Sequence, residues 1–186
     1  YYILIAGSPA KVPFELQFSL DILQAVGRID FDNPADYERY AQTVVDQETG
    51  QARVPGKRAV FFAPQHDSAT NQSSKRLVRP ILKQLPDSVP DDLVFNDLIG
   101  AEATKPNLLA ALATDASDQT PAILFSASHG IGVNTDDPNH STLQGSIVCQ
   151  DYRFPLTPDH RQGFISGYDV AEGFELPGGI HFFFAC

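Results

Sequence analysis

Two apolar runs, each ending at a residue that can do chemistry, constrain this chain more than any other feature. Ala122-Ile123-Leu124-Phe125-Ser126-Ala127-Ser128 stops at His129-Gly130. Gly179-Ile180-His181-Phe182-Phe183-Phe184 stops at Ala185-Cys186. A short apolar run bounded by small residues reads as a buried strand. Open α/β sheets place their chemistry beyond the carboxyl ends of their strands. An imidazole and a thiol at the ends of two parallel strands can therefore be neighbours.

The rest of the chain fits such a sheet. Tyr1–Ala6 and Ala59-Val60-Phe61-Phe62-Ala63 read as further buried strands, and Ala25-Val26-Gly27-Arg28-Ile29 as a short one. Asn33-Pro34 opens a helix through about Val45, with Asn33 as N-cap and Pro34 at the first helical position. Val12–Asp21 alternates as an extended segment does, or turns helical after Pro13. Gln72–Leu85 carries apolar residues at helical spacing, with Pro80 expected to kink it. Asn107–Thr114 is a short helix, a strand pair lies around Gly145–Gln150, and a helix follows near Ser166–Gly173. Strands alternating with helices predict an α/β fold with a largely parallel sheet and helices on both faces. Tyr1–Ala6, Ala59–Ala63, Ala122–Ser128 and Gly179–Ala185 are expected to share that sheet.

The length of 186 residues suits one domain with a real core. No apolar run approaches the ~20 residues that span a membrane, and no signal peptide is visible. A chain without Met that opens and closes on strand-like residues reads as a domain cut from a longer protein, so other domains are expected partners. The formal net charge of −10 disfavours nucleic acid, whose affinity rests on Lys and Arg. Cys149 and Cys186 are too few for a disulfide framework. A reducing cytoplasm is the easier home for a reactive thiol.

A thiolate attacks a carbonyl, a nearby imidazole moves the proton, and backbone N–H groups stabilise the oxyanion. Gly130, lacking a Cβ, lets its N–H approach a substrate oxygen closely. His66, His140 and His160 lie in polar stretches and read as solvated. His181 is an odd number of residues from Cys186, which puts it on the other face of the strand. Cys149 sits inside a strand-like run and reads as a buried small residue. A zinc site built from His129, His181 and Cys186 lacks ligand spacing.

The pattern Ser128-His129-Gly130, then Gly145-Ser146-Ile147-Val148, then Ala185-Cys186 resembles the caspase-hemoglobinase superfamily of cysteine peptidases. In that superfamily His stands about 50 residues ahead of Cys, and the spacing here is of that order. Within the superfamily the chain is most similar to the gingipain-like peptidases and the caspase-like domains called CHAT. Tyr1–Pro9 resembles the gingipain strand and turn. Ala25–Ile29 with Tyr37, Tyr40, Val44-Val45 and Glu48 resembles its Val-Gly-Arg strand and following helix. Ala103-Thr104-Lys105-Pro106-Asn107-Leu108-Leu109 resembles the approach to its His strand. Ser128 stands where the gingipain pattern has Gly, and Phe184 where caspases have Gln; neither position supplies a catalytic atom.

The resemblance implies a cysteine endopeptidase acting on polypeptide without a cofactor or metal. Cys186 is the expected nucleophile, His129 the acid/base, and the N–H groups of Gly130 and Cys186 the oxyanion hole. In the family an acid after the first strand binds or orients groups in the cleft. Asp21 is a candidate for recognising a basic side chain and Glu15 for orienting His129, although solvated acids are the commoner case. The segment after the Cys builds the specificity pocket in the family, which leaves the preferred side chain open with a basic one favoured. If Cys186 also carries the chain's carboxylate, like-charge repulsion disfavours its thiolate. The rival expectation is an inactive domain of the same fold, used for protein–protein interaction in a larger effector.

Overall fold

The structure is a computed structural model; it describes residues 2–52, 56–89, 91–113, 120–153, 163–171, 176 and 178–185. The chain divides into two compact units, Tyr1–Gln51 and Ala52–Cys186.

In the first unit, β1 (Tyr2–Ala6) pairs in parallel with β2 (Ala25–Ile29), with Ile3 opposite Val26 and Ile5 opposite Arg28. The connection contains α1 (Phe14–Asp21), which begins directly after Pro13. Val12–Asp21 is thus helical beyond the proline and not extended, since Pro fixes a φ suited to a helix start and alternation over so few residues does not fix a strand. Arg28 ties the connection to the strands. Its guanidinium donates to the carbonyls of Gly7 (2.6 Å) and Val12 (2.8 Å) and to Gln17 Oε1 (3.0 Å). It also lies 5.3 Å from the centre of the Phe14 ring. Gly7, at φ +141°, makes the turn that brings its carbonyl to Arg28. In α2 (Pro34–Glu48), Asn33 Oδ1 accepts from the Ala35 N–H and Pro34 occupies the first position, as the sequence predicts.

The second unit is built on a four-stranded sheet of order β4-β3-β5-β8. These are β3 (Gly56–Ala63), β4 (Val94–Ile99), β5 (Pro121–Ala127) and β8 (Ile180–Phe184), and all their pairings are parallel. Helices cover both faces. On one, Val60, Phe62, Leu98 and Leu124 pack with Leu108, Ala111 and Leu112 of α5 (Lys105–Leu112). On the other, Ala59, Phe61, Ala63 and Ala127 pack with Val78 and with Ile81 and Leu82 of α4 (Arg79–Gln84). This alternation is the period-two signature of a strand buried on both faces.

The run from α3 (Ser68–Ser73) to α4 passes through a π turn at Ser74–Val78. The Arg79 N–H bonds the Ser74 carbonyl there, just before Pro80. Pro80 has no N–H to give, and a locally wider turn absorbs that loss without ending the helix. Beyond β5 come α6 (His140–Leu143), then β6 (Ile147–Val148) and β7 (Phe164–Ile165), an antiparallel pair, and α7 (Gly167–Ala171). Among the described residues, no helix is long and apolar enough to cross a membrane.

Two expectations are corrected. The strands expected to pair are not those that do: in the first unit β1 is bonded to β2 in a two-stranded sheet, and in the second unit the fourth strand of the sheet is β4. Apolar content marks Tyr2–Ala6 as a strand but not which neighbour it finds, and the next strand in sequence is the commonest partner. Secondly, β8 is not buried. All five of its residues are exposed, Phe182 at 51%. Among the described residues it stands at the end of the strand order, beside β5 only.

Phe62 is fully buried in the centre of the sheet. Phe62→Ala should cost about 3–5 kcal/mol of unfolding free energy, measured by urea denaturation. A loss near zero would mean that this face is not the core.

Candidate functional site

The site grows from the carboxyl ends of β3 and β5. Past β3, Gln65 is fixed from both sides: its N–H donates to Gln150 Oε1 (2.6 Å), and its Nε2 donates to Ser74 Oγ (2.9 Å). His66 and Asp67 follow. Asp67 caps α3, its Oδ1 accepting from the N–H and the hydroxyl of Thr70, each at 2.9 Å. The Thr70 hydroxyl is in turn bonded by the N–H groups of His66 (2.9 Å) and Asp67 (3.1 Å). Such a reciprocal cap satisfies N–H groups that the first helical turn leaves over. It also fixes the carboxylate, so that the second oxygen, Oδ2, lies 2.9 Å from His129 Nε2.

His129 follows β5 and is held by its backbone. Its carbonyl accepts from the Val148 N–H (3.0 Å), and the Ile131 N–H donates to the Ser146 carbonyl (3.0 Å). These bonds employ the His129 carbonyl and the Ile131 N–H and bypass the Gly130 N–H. Ser128 is buried, with its hydroxyl on the Val148 carbonyl. A cleft of about 540 Å³ opens here, lined by His66, Asp67 and His129 on one part and by Ile131, Val148 and Tyr152 on another, with Gly130 and Gly132 between.

Charge in the cleft follows from these contacts. The Thr70 N–H, then the His129 ring and the Thr70 hydroxyl, hold the Asp67 carboxyl well below its usual range. Burial lowers the His66 pKa, partly opposed by its hydrogen bond to the Cys149 backbone. Burial also raises that of Tyr152. At neutral pH the cleft thus carries an ionised Asp67, a neutral His66 and a neutral Tyr152.

The chemical residues read from the sequence fall as follows. His129 and Gly130 are together at the cleft. Cys186, with its N–H, lies outside the described residues; so does His160. Phe184, two residues before Cys186, is opposite Ala127, two residues before His129. The Ser128 N–H donates to the Phe184 carbonyl at 3.0 Å, so the ladder reaches the strand ends. Cys149 is buried as expected; its Sγ is 3.7 Å from the Ile147 carbonyl, and burial drives its thiol far up in pKa. His181 bonds Ser126 Oγ at 2.7 Å, on the face opposite the Phe125 ring. His140 is not simply solvated, since its Nδ1 meets the carbonyls of Val133 and Asn134. His66 is a cleft residue, not only a loop histidine.

The carboxylate on His129 is Asp67, which sequence reading did not single out. Glu15 is in the first turn of α1 and Asp21 is its last residue, both exposed in the first unit. The signal that could have found Asp67 is Asp67-Ser68-Ala69-Thr70 shortly after a buried strand, the spacing of a helix N-cap and its third residue. Among the described residues, no cluster of three His, Cys, Asp or Glu side chains is arranged to hold a metal ion. No family model, curated protein or solved structure matches the chain.

Because Asp67 has a folded pKa below its unfolded value of about 3.9, its ionisation stabilises the fold above that pH and ceases to do so as pH falls through the folded value. The stability difference between wild type and Asp67→Asn should therefore shrink steadily as pH falls below about pH 4. Thermal melts from neutral to acid pH check this. A difference that does not change with pH would mean that the carboxylate is not held by Thr70 and His129.

Proposed function

We propose that this chain is a caspase-like cysteine endopeptidase domain of the gingipain and CHAT kind, with Cys186 as nucleophile and His129 as acid/base. The observation that carries the reading is the register of β5 and β8. The two strands are adjacent and parallel, Ala127 stands opposite Phe184, and His129 and Cys186 each follow by two residues. The cleft beside His129 and the carboxylate on its ring add support.

In this mechanism the Cys186 thiolate attacks the scissile carbonyl carbon, and the negative charge moves to the carbonyl oxygen. The N–H groups of Gly130 and Cys186 receive that oxyanion. The C–N bond breaks as the His129 imidazolium gives its proton to the leaving amine, which leaves a thioester. Water, deprotonated by His129, attacks the thioester and releases the acid and the thiol. Asp67 acts through His129 as a positioning residue: it holds the ring, as the third group of a catalytic triad does. This chemistry asks for no cofactor.

One observation favours the rival reading, an inactive domain that binds other proteins. β8 presents Ile180, Phe182, Phe183 and Phe184 to solvent at the end of the sheet, and exposed apolar surface of this kind marks interaction sites.

The two readings part on thiol chemistry, tested in a chain extended beyond Cys186. Under the peptidase reading, iodoacetamide modifies Cys186 far faster than Cys149, and His129→Ala slows the Cys186 reaction. Cys186→Ala abolishes cleavage of a denatured protein substrate, and Cys149→Ala leaves it intact provided the fold holds. Equal loss in both variants, or cleavage that survives Cys186→Ala, would contradict the peptidase reading.

A further inference from the structure

We propose that the cleft beside His129 receives a large uncharged side chain of the polypeptide, aromatic or aliphatic, and discriminates against a basic one. The proposal rests on the polypeptide substrate argued above but goes against the basic preference expected from the sequence.

Charge is the first argument. A lysine or arginine side chain entering a cleft loses hydration and needs an anion to replace it. Among the described residues lining this cleft, Asp67 is the one carboxylate. Both of its oxygens are engaged, Oδ1 by two donors of Thr70 and Oδ2 by the His129 ring. A guanidinium on Oδ2 would share that oxygen with the imidazole and weaken its hold on the ring the chemistry needs. Asp151, whose charge acts on His66, accepts from the Lys105 N–H at 3.0 Å.

Shape and polarity are the second. Ile131 and Val148 belong to one apolar cluster with Phe164, and Tyr152 packs against it, its ring 6.3 Å from that of Phe164. Few but defined polar groups on an apolar wall is the usual make-up of a side-chain pocket, and about 540 Å³ leaves room for an aromatic ring. Burial keeps His66 and Tyr152 in their neutral forms at neutral pH. They add no charge to the rim.

The structure also supplies a way to fill the cleft. Gly132 lines it, and a Cβ built there meets no atom within 4 Å. A larger side chain at 132 is therefore tolerated at the cleft lining without a clash.

The test is binding of N-acetyl-phenylalanine amide and N-acetyl-arginine amide to the whole chain, followed by NMR at the Gly130 and Gly132 amides. The phenylalanine probe should bind about tenfold tighter or more, since a cation gives up its hydration for an anion already bonded to Thr70 and His129. The preference should persist in Cys186→Ala, because binding needs no thiol. Gly132→Leu should abolish it, and Tyr152→Ala should weaken it several-fold. Arginine binding as tight or tighter, phenylalanine binding untouched by both Gly132→Leu and Tyr152→Ala, or no binding of either probe would overturn the proposal. None of these outcomes bears on whether Cys186 is a nucleophile, and inert Cys186 with intact phenylalanine binding would sink the peptidase reading alone.

Discussion

The peptidase reading of this protein depends on the register between β5 and β8. In a strand pair, a slip of one residue turns every side chain to the other face. Here the register is pinned from both sides. On one face the rings of Phe95, Phe61, Phe125 and Phe182 run across all four strands, with centroid separations of 6.2, 5.4 and 4.7 Å. On the other, His181 reaches Ser126 Oγ at 2.7 Å. A one-residue slip would break the aromatic row and the hydrogen bond together. Phe182 is half exposed yet has a structural task, because the row ends on it.

The second dependence is local. Asp67 would be an ordinary helix cap but for its other oxygen, which meets His129. Cap and orienting carboxylate are one group, so the start of α3 and the orientation of the imidazole are coupled. The Gln65 contacts to Gln150 and Ser74 join the same loop to the segment after β6 and to the π turn. The cleft is thereby built where three joined segments meet, with the His129 ring beside them.

Much of this was legible in the sequence. Runs such as Ala59–Ala63 and Ala122–Ser128 are apolar enough that only a parallel, doubly covered sheet accommodates them, and β3 and β5 are the centre of that sheet. Asn33-Pro34 carries its own cap chemistry and appears as read. What escaped reading is what depends on tertiary context. β4 contains Asn96 and Asp97 and offers no clean apolar run, yet it pairs with β3 over six residues. The partner of β1 depends on which edge is available and not on its composition. Asp67 looked like any loop acid, because its role comes from a histidine 62 residues away. His129 and Gly130 were legible because both follow a strand whose end is marked in the sequence.

The central claim is that residues 129 and 186 stand side by side at the ends of neighbouring strands. Disulfide trapping tests it without relying on activity. In a Cys149→Ala background, His129→Cys introduces a thiol that can reach Cys186 only if the two α-carbons lie about 4.4–6.8 Å apart. Mild oxidation of dilute protein should then give an intramolecular disulfide, seen by mass spectrometry as a linked peptide pair that separates on reduction. Two free thiols after oxidation, or disulfides only between molecules, would contradict the account.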